Sequence, residues 1–191
     1  MRGRGPPHRG LHPAGVASRG PARHLVGGGQ QSLQTLLEEP DFALSAFLLA
    51  VLGEGSFLDL LRFLQEVAPD PLTRQIARLT AQDEARHVAF GLAHLSRHAS
   101  LEPGLHDRLA AAVKARHDAL ANTSGLNEEV FDALVLLAAG SWERAALARG
   151  FDRVVQLQRD MDRGRQQRLR RLGFSGERAA ALSALHTRNF M

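Results

Sequence analysis

The chain has 191 residues, 44% of them apolar and 23% charged, which suits one soluble domain with a sizeable core. It contains no cysteine and no tyrosine, excluding disulfides, zinc–thiolate sites, thiol nucleophiles and tyrosyl radicals. The formal net charge of +4 gathers before residue 30, where five Arg meet no acid; the other 19 basic residues face 20 acidic ones, so a nucleic-acid partner is not expected.

Residues 1–29 hold eight Gly and four Pro without a sustained apolar period and read as a disordered Gly/Pro/Arg-rich tail. They lack the apolar centre of a secretory signal. From residue 30 to 191 every long segment has helical periodicity, and no uninterrupted apolar run approaches the ~20 residues of a spanning helix. The expectation is one all-α domain, cytoplasmic and with no membrane partner.

Helices are expected over 31–38, 41–67, 71–99, 103–121, 127–149, 151–171 and 176–187. Pro71 suits a first helical position after Asp70, and Asn127 and Ser175 suit helix caps. Gly150 and Gly173 suit stops or joints. Nearly 30 residues in each of two helices, about 40 Å at 1.5 Å per residue, make a long antiparallel bundle.

The helix 41–67 reads "DFALSAFLLAVLGEGSFLDLLRFLQEV". On a regular helical wheel Glu54 shares its face with Phe47, Ala50, Val51, Phe57, Leu58 and Leu61, so it points at the core. A buried carboxylate without a partner costs several kcal/mol and needs a compensating cation. In the next helix, "QDEARHVAFG" puts Glu84 and His87 three residues apart, on one face. Ala77, Ala81, Val88 and Gly91 beside them are small enough to admit a neighbouring helix. Carboxylate oxygen with imidazole nitrogen suits iron, manganese or zinc. The competing reading of a lone Glu-x-x-His is a solvent-facing pair on an ordinary helix.

"DEARHVAFG", with "VLGEGSF" thirty residues upstream, resembles the second metal-binding helix pair of the ferritin-like superfamily, in the dinuclear-iron carboxylate branch related to the ribonucleotide reductase small subunit and the N-oxygenases. The resemblance covers residues 38–100, and more loosely the later helices. It implies a ferritin-like bundle with Glu54, Glu84 and His87 as metal ligands. Asp83 would orient a histidine from the opposite helix pair. The implied cofactor is iron or manganese, dinuclear if the site is completed, and the implied reactants are dioxygen and a small organic substrate.

The family pattern also needs another Glu and another Glu-x-x-His, on helices that come before this pair, where this chain has its Gly/Pro-rich segment. Among the nine histidines only His87 has a carboxylate three residues earlier. Half a site is evident, and the bundle reads as incomplete on its N-terminal side. Glu143, with Leu136, Ala139, Gly140, Ala146 and Leu147 on its face, is a lesser candidate for the missing carboxylate. Asp160 and Asp162 are followed three residues on by Arg163 and Arg165, which cannot ligate iron. A homodimer offers another route, bringing two half-sites together across a two-fold axis.

His94 and His98 continue the stripe of Glu84 and His87, His94 being a lesser candidate ligand and both reading otherwise as partly exposed positions. Trp142 reads as a packing residue, and "RDMDRGRQQRLRRLGF" as a solvated face with local ion pairs. Two functions compete: an oxidoreductase of oxygenase or oxidase type, and a degenerate non-catalytic bundle that binds metal weakly or serves as an interaction module.

Overall fold

The computed structural model describes residues 34–120 and 128–186. The expected tail 1–29 and the expected cap Asn127 lie outside the described residues. The described residues are all-α, with no strand among them. After a helical turn at 34–37, the elements are α1 (Phe42–Val67), α2 (Pro71–Leu101), α3 (Leu105–Leu120), α4 (Glu128–Ala139), α5 (Arg144–Arg171) and α6 (Gly176–Ala184).

Several ends follow the sequence signals. The Asp70 carboxylate accepts from the Thr73 N–H at 2.8 Å ahead of Pro71 in the first turn of α2. The Ser175 hydroxyl likewise accepts from the Arg178 N–H at 3.2 Å. Gly173, at φ 98°, closes α5 in the left-handed conformation that a residue without a β-carbon adopts freely.

The expected helices 127–149 and 151–171 are divided differently. The break falls at Gly140, whose φ is 67°, and α5 then runs unbroken through Gly150. Gly150 has a packing role: a β-carbon there would fall inside van der Waals contact with the Val135 carbonyl and the Ala139 backbone of α4. Absence of a side chain lets α4 and α5 cross closely, and that requirement resembles a helix-stop signal in sequence.

The middle of α1 is not a regular α-helix. Phe47–Glu54 is π-helical, with the Gly55 N–H donating to the Ala50 carbonyl five residues back. This wide winding buries Phe47, Leu48, Ala50, Val51 and Leu52 around the helix. α1 is also apolar and long enough, by composition, to cross a membrane; here it is the bundle's central element, in contact with both α2 and α5.

Two apolar cores share α1. One joins its N-terminal half to Val88, Leu92 and Leu95 of α2, Leu105, Leu109 and Val113 of α3, Leu169 of α5, and Ala179 and Leu182 of α6. The other packs Phe63 of α1 against Leu134 of α4 and Val154, Leu157 and Met161 of α5.

The arginine-rich run of α5 is only partly a solvated face. Arg163 pairs with Asp160 and Arg170 with Gln166 at the surface, but Arg165 and Arg168 are buried. Arg165 donates to the Ser183 hydroxyl at 3.2 Å and to the His186 carbonyl at 3.4 Å. Trp142, expected to pack, is 80% exposed in the turn between α4 and α5.

Candidate metal centre

α1 and α2 run antiparallel and approach closely at Gly91, where a β-carbon would stand 2.6 Å from the Ala50 methyl. One turn away on α1 and one to two turns away on α2, that approach brings Glu54 beside His87 and Glu84. The His87 Nδ1 is 3.3 Å from a Glu84 oxygen and 3.7 Å from a Glu54 oxygen. One donor atom from each residue fits within 4.8 Å of the other two, close enough to ligate one ion.

The site lies at an edge of the bundle. The Glu54 and Glu84 side chains are 19% and 24% exposed, whereas His87 is 61% exposed. The wheel reading that sent Glu54 into the core assumed regular winding; after the π-helical segment Glu54 turns to the half-buried seam with α2. Phe57, placed on the same face by the wheel, is exposed.

The electrostatics favour a cation. Glu54 Oε2 is buried without a hydrogen-bond partner. Burial pushes the Glu54 carboxyl up, Glu84 pushes it further, and His87 opposes both. Two carboxylates competing for a half-buried seam, with an imidazole beside them, form a donor set that iron, manganese or zinc would satisfy. The residues therefore fit the group that the sequence suggested.

The other candidates are not brought to this cluster. Glu143 is exposed as the N-cap residue of α5, because the chain turns at Gly140 instead of carrying the helix through it. Asp160 is engaged by Gln156 and Arg163, and Asp162 accepts from Gln166 and Ser183. His94 packs edge-on against Phe42 and beside Phe90 and His98, and its buried Nε2 has no hydrogen-bond partner. Asp83 is exposed and ion-paired with Arg86 at 2.7 Å.

The same two helices also expose large apolar side chains: Leu49 and Phe57 on α1, and Ile76, Leu79 and Phe90 on α2, with Phe57 three residues from Glu54 and Phe90 three from His87. The sequence does not mark these residues as exposed, since apolar side chains at helical spacing read as core-facing. No protein-family model, curated protein or solved structure matches the chain.

Proposed function

We propose that the α1–α2 face is half of a ferritin-like carboxylate metal centre, completed by a second copy of the chain across a two-fold axis. The convergence of Glu54, Glu84 and His87 within 4.8 Å, from two helices, carries this reading. Three protein donors leave an iron or manganese ion short of its shell. A two-fold copy would bring the same three, so two ions would share four carboxylates and two imidazoles. Phe57 and Phe90, exposed three residues from Glu54 and His87, would then be covered by the partner.

A dinuclear iron or manganese centre, if bound in its reduced state, would supply Lewis acidity and two electrons to dioxygen, with an external reductant or the substrate restoring it, so the proposed activity is an oxidoreductase of oxygenase or oxidase type. The chain's own residues hold and tune it. Glu54 and Glu84 supply negative charge that loses its mutual repulsion on binding a cation, and His87 approaches them through Nδ1. Phe57 and Phe90 would limit water at the closed interface. The lack of tyrosine favours direct chemistry on a small organic substrate over a tyrosyl radical.

The exposure of His87 favours a second reading, in which each chain binds one ion weakly without catalysis. Anaerobic ferrous titration with sedimentation velocity separates the two. The proposal expects one iron per chain, a dimer strengthened by iron, and oxygen consumption on mixing with air. A monomer with weakly held iron and no oxygen consumption supports the second reading, and no binding by the wild type removes both.

A further inference from the structure

A cleft of about 700 Å³ opens over α1 between α2 and α5. That size is typical of small-molecule sites. Its apolar lining is Leu58 and Phe63 of α1, Val88 and Leu92 of α2, and Leu157 of α5. The rest is dominated by arginine.

Three of the lining arginines have acid partners in the same cleft. Arg62 pairs with Asp59 at 3.1 Å, Arg153 with Glu66 at 3.1 Å, and Arg163 with Asp160. Arg168 and Arg171 also line the cleft, one turn apart on α5, and neither has an ion pair among the described residues. The cleft therefore carries a positive surplus, centred on Arg168 and Arg171 and offset only in part by Asp59.

Arg168 is held there by the surrounding backbone. It is only 8% exposed, and its Nε donates to the Val51 carbonyl at 2.9 Å. Its buried Nη2 has no hydrogen-bond partner. Glycines make room for it: a β-carbon on Gly55 would overlap the guanidinium, and one on Gly164 would stand 3.0 Å from its Nη1. Asp59 is the nearest counter-charge: its Oδ1 accepts from Arg62, and the carboxylate also attracts Arg168, so one acid is shared between two guanidinium groups. Burial lowers the Arg168 pKa to about 10, which leaves it cationic at neutral pH. A fixed guanidinium in the wall of a cleft, with one buried donor unsatisfied and its nearest acid shared, favours an anion in that cleft, because an under-compensated buried charge costs more than it would in water.

We propose that this cleft binds a small organic acid, its oxyanion head received by Arg168 and Arg171 and its apolar body by Leu58, Phe63, Val88, Leu92 and Leu157. A carboxylate and a phosphate monoester present the same head chemistry to a guanidinium. Leu58 stands one turn from Glu54, and Val88 one turn from Glu84, so the cleft wall adjoins the metal donors. Use of the acid as substrate rests on the metal-centre reading; its binding does not.

Calorimetric titration of the full chain with octanoate, octyl phosphate, octanol and octylamine, first metal-free and then with manganese, tests this. The expected result is one acid bound per chain with a submillimolar Kd, octanol and octylamine being at least tenfold weaker; the tighter acid identifies the head. Arg168→Met should weaken that acid at least tenfold. Arg171→Glu, at an exposed position, should weaken it at least threefold while circular dichroism stays unchanged. If Arg168→Met fails to fold, Arg171→Glu decides. No binding of either acid, equal binding of octanol, or unchanged affinity in the folded variants overturns the proposal. Acid binding without manganese binding would count against the metal centre alone.

Discussion

Gly91 lies against Ala50 so closely that there is no room for even a β-carbon between them. This contact sits one turn from His87 on α2 and one turn from Glu54 on α1, so the distance between the helices there sets the spacing of the donor atoms. Gly91→Val would force the helices apart. The expected outcome is a loss of about 1–3 kcal/mol in urea unfolding, from overpacking. Manganese affinity, read by electron paramagnetic resonance of the free ion, should fall more than tenfold. Unchanged affinity would show that the spacing of α1 and α2 does not govern the site.

Glu54→Gln tests the electrostatic account of the seam. Burial and Glu84 raise the Glu54 pKa in the folded chain, so the native state holds a proton more tightly than the unfolded state. The sign follows: this group's contribution to stability falls as pH rises above 4.5, its ordinary value. The metal-free variant should therefore unfold at a higher temperature than wild type at pH 7, and its advantage should shrink toward pH 4.5. Its manganese affinity should drop at least tenfold. A variant less stable than wild type at pH 7 would mean that the carboxylate is compensated without a cation.

His186 has the opposite dependence. It is buried near Arg165, Arg116 and His117, and burial lowers its pKa to about 4 from 6.5, with the positive neighbours adding to the effect. The unfolded chain takes up a proton as pH falls through 6.5, whereas the folded chain resists until about 4. Stability is thus intact above 6.5 and lost between 6.5 and 4, by roughly 3 kcal/mol at 1.36 kcal/mol per pKa unit. Urea midpoints across that range should fall steeply for wild type. In His186→Leu the fall should be much shallower, and parallel curves would remove His186 as the cause.

Gly150→Ala tests the second core. The added methyl would meet backbone atoms of α4, which cannot rotate away as a side chain can. A destabilisation of about 1–3 kcal/mol is expected, against a gain of up to about 1 kcal/mol where alanine replaces an unhindered helical glycine. Hydrogen exchange should show the loss concentrated in α4 and in the adjoining face of α5.

What was legible in the sequence followed from short-range chemistry. Asp70, Pro71, Ser175 and Gly173 mark helix ends because caps and left-handed turns depend on a few neighbouring residues. Glu84 and His87 share a face because three residues of α-helix place them there. The facing of Glu54 was less legible, since a π-helical segment changes the angle between successive residues without a compositional signature. Glu143 and Trp142 lie in the turn and not on a helix face because the break falls at Gly140, whereas Gly150, the stronger-looking stop in sequence, sits inside α5.

The cleft had a signal that charge alone concealed. Val154, Leu157, Met161, Arg165, Arg168 and Leu172 follow one another at intervals of three or four, so the two arginines belong to the apolar stripe of α5 and are buried with it. Arg163, Arg170 and Arg171 fall off that stripe and are exposed.

The π-helical stretch of α1 has a further consequence. A helix that accommodates extra residues in wider turns can lose one of them and return to ordinary winding. A single deletion within Leu48–Gly53 would let Gly55–Val67 keep its seat against α4 and α5 while changing the approach of Glu54 to α2. The aim of the proposed ligand can therefore be altered by chain length alone, independently of the core that anchors the helix.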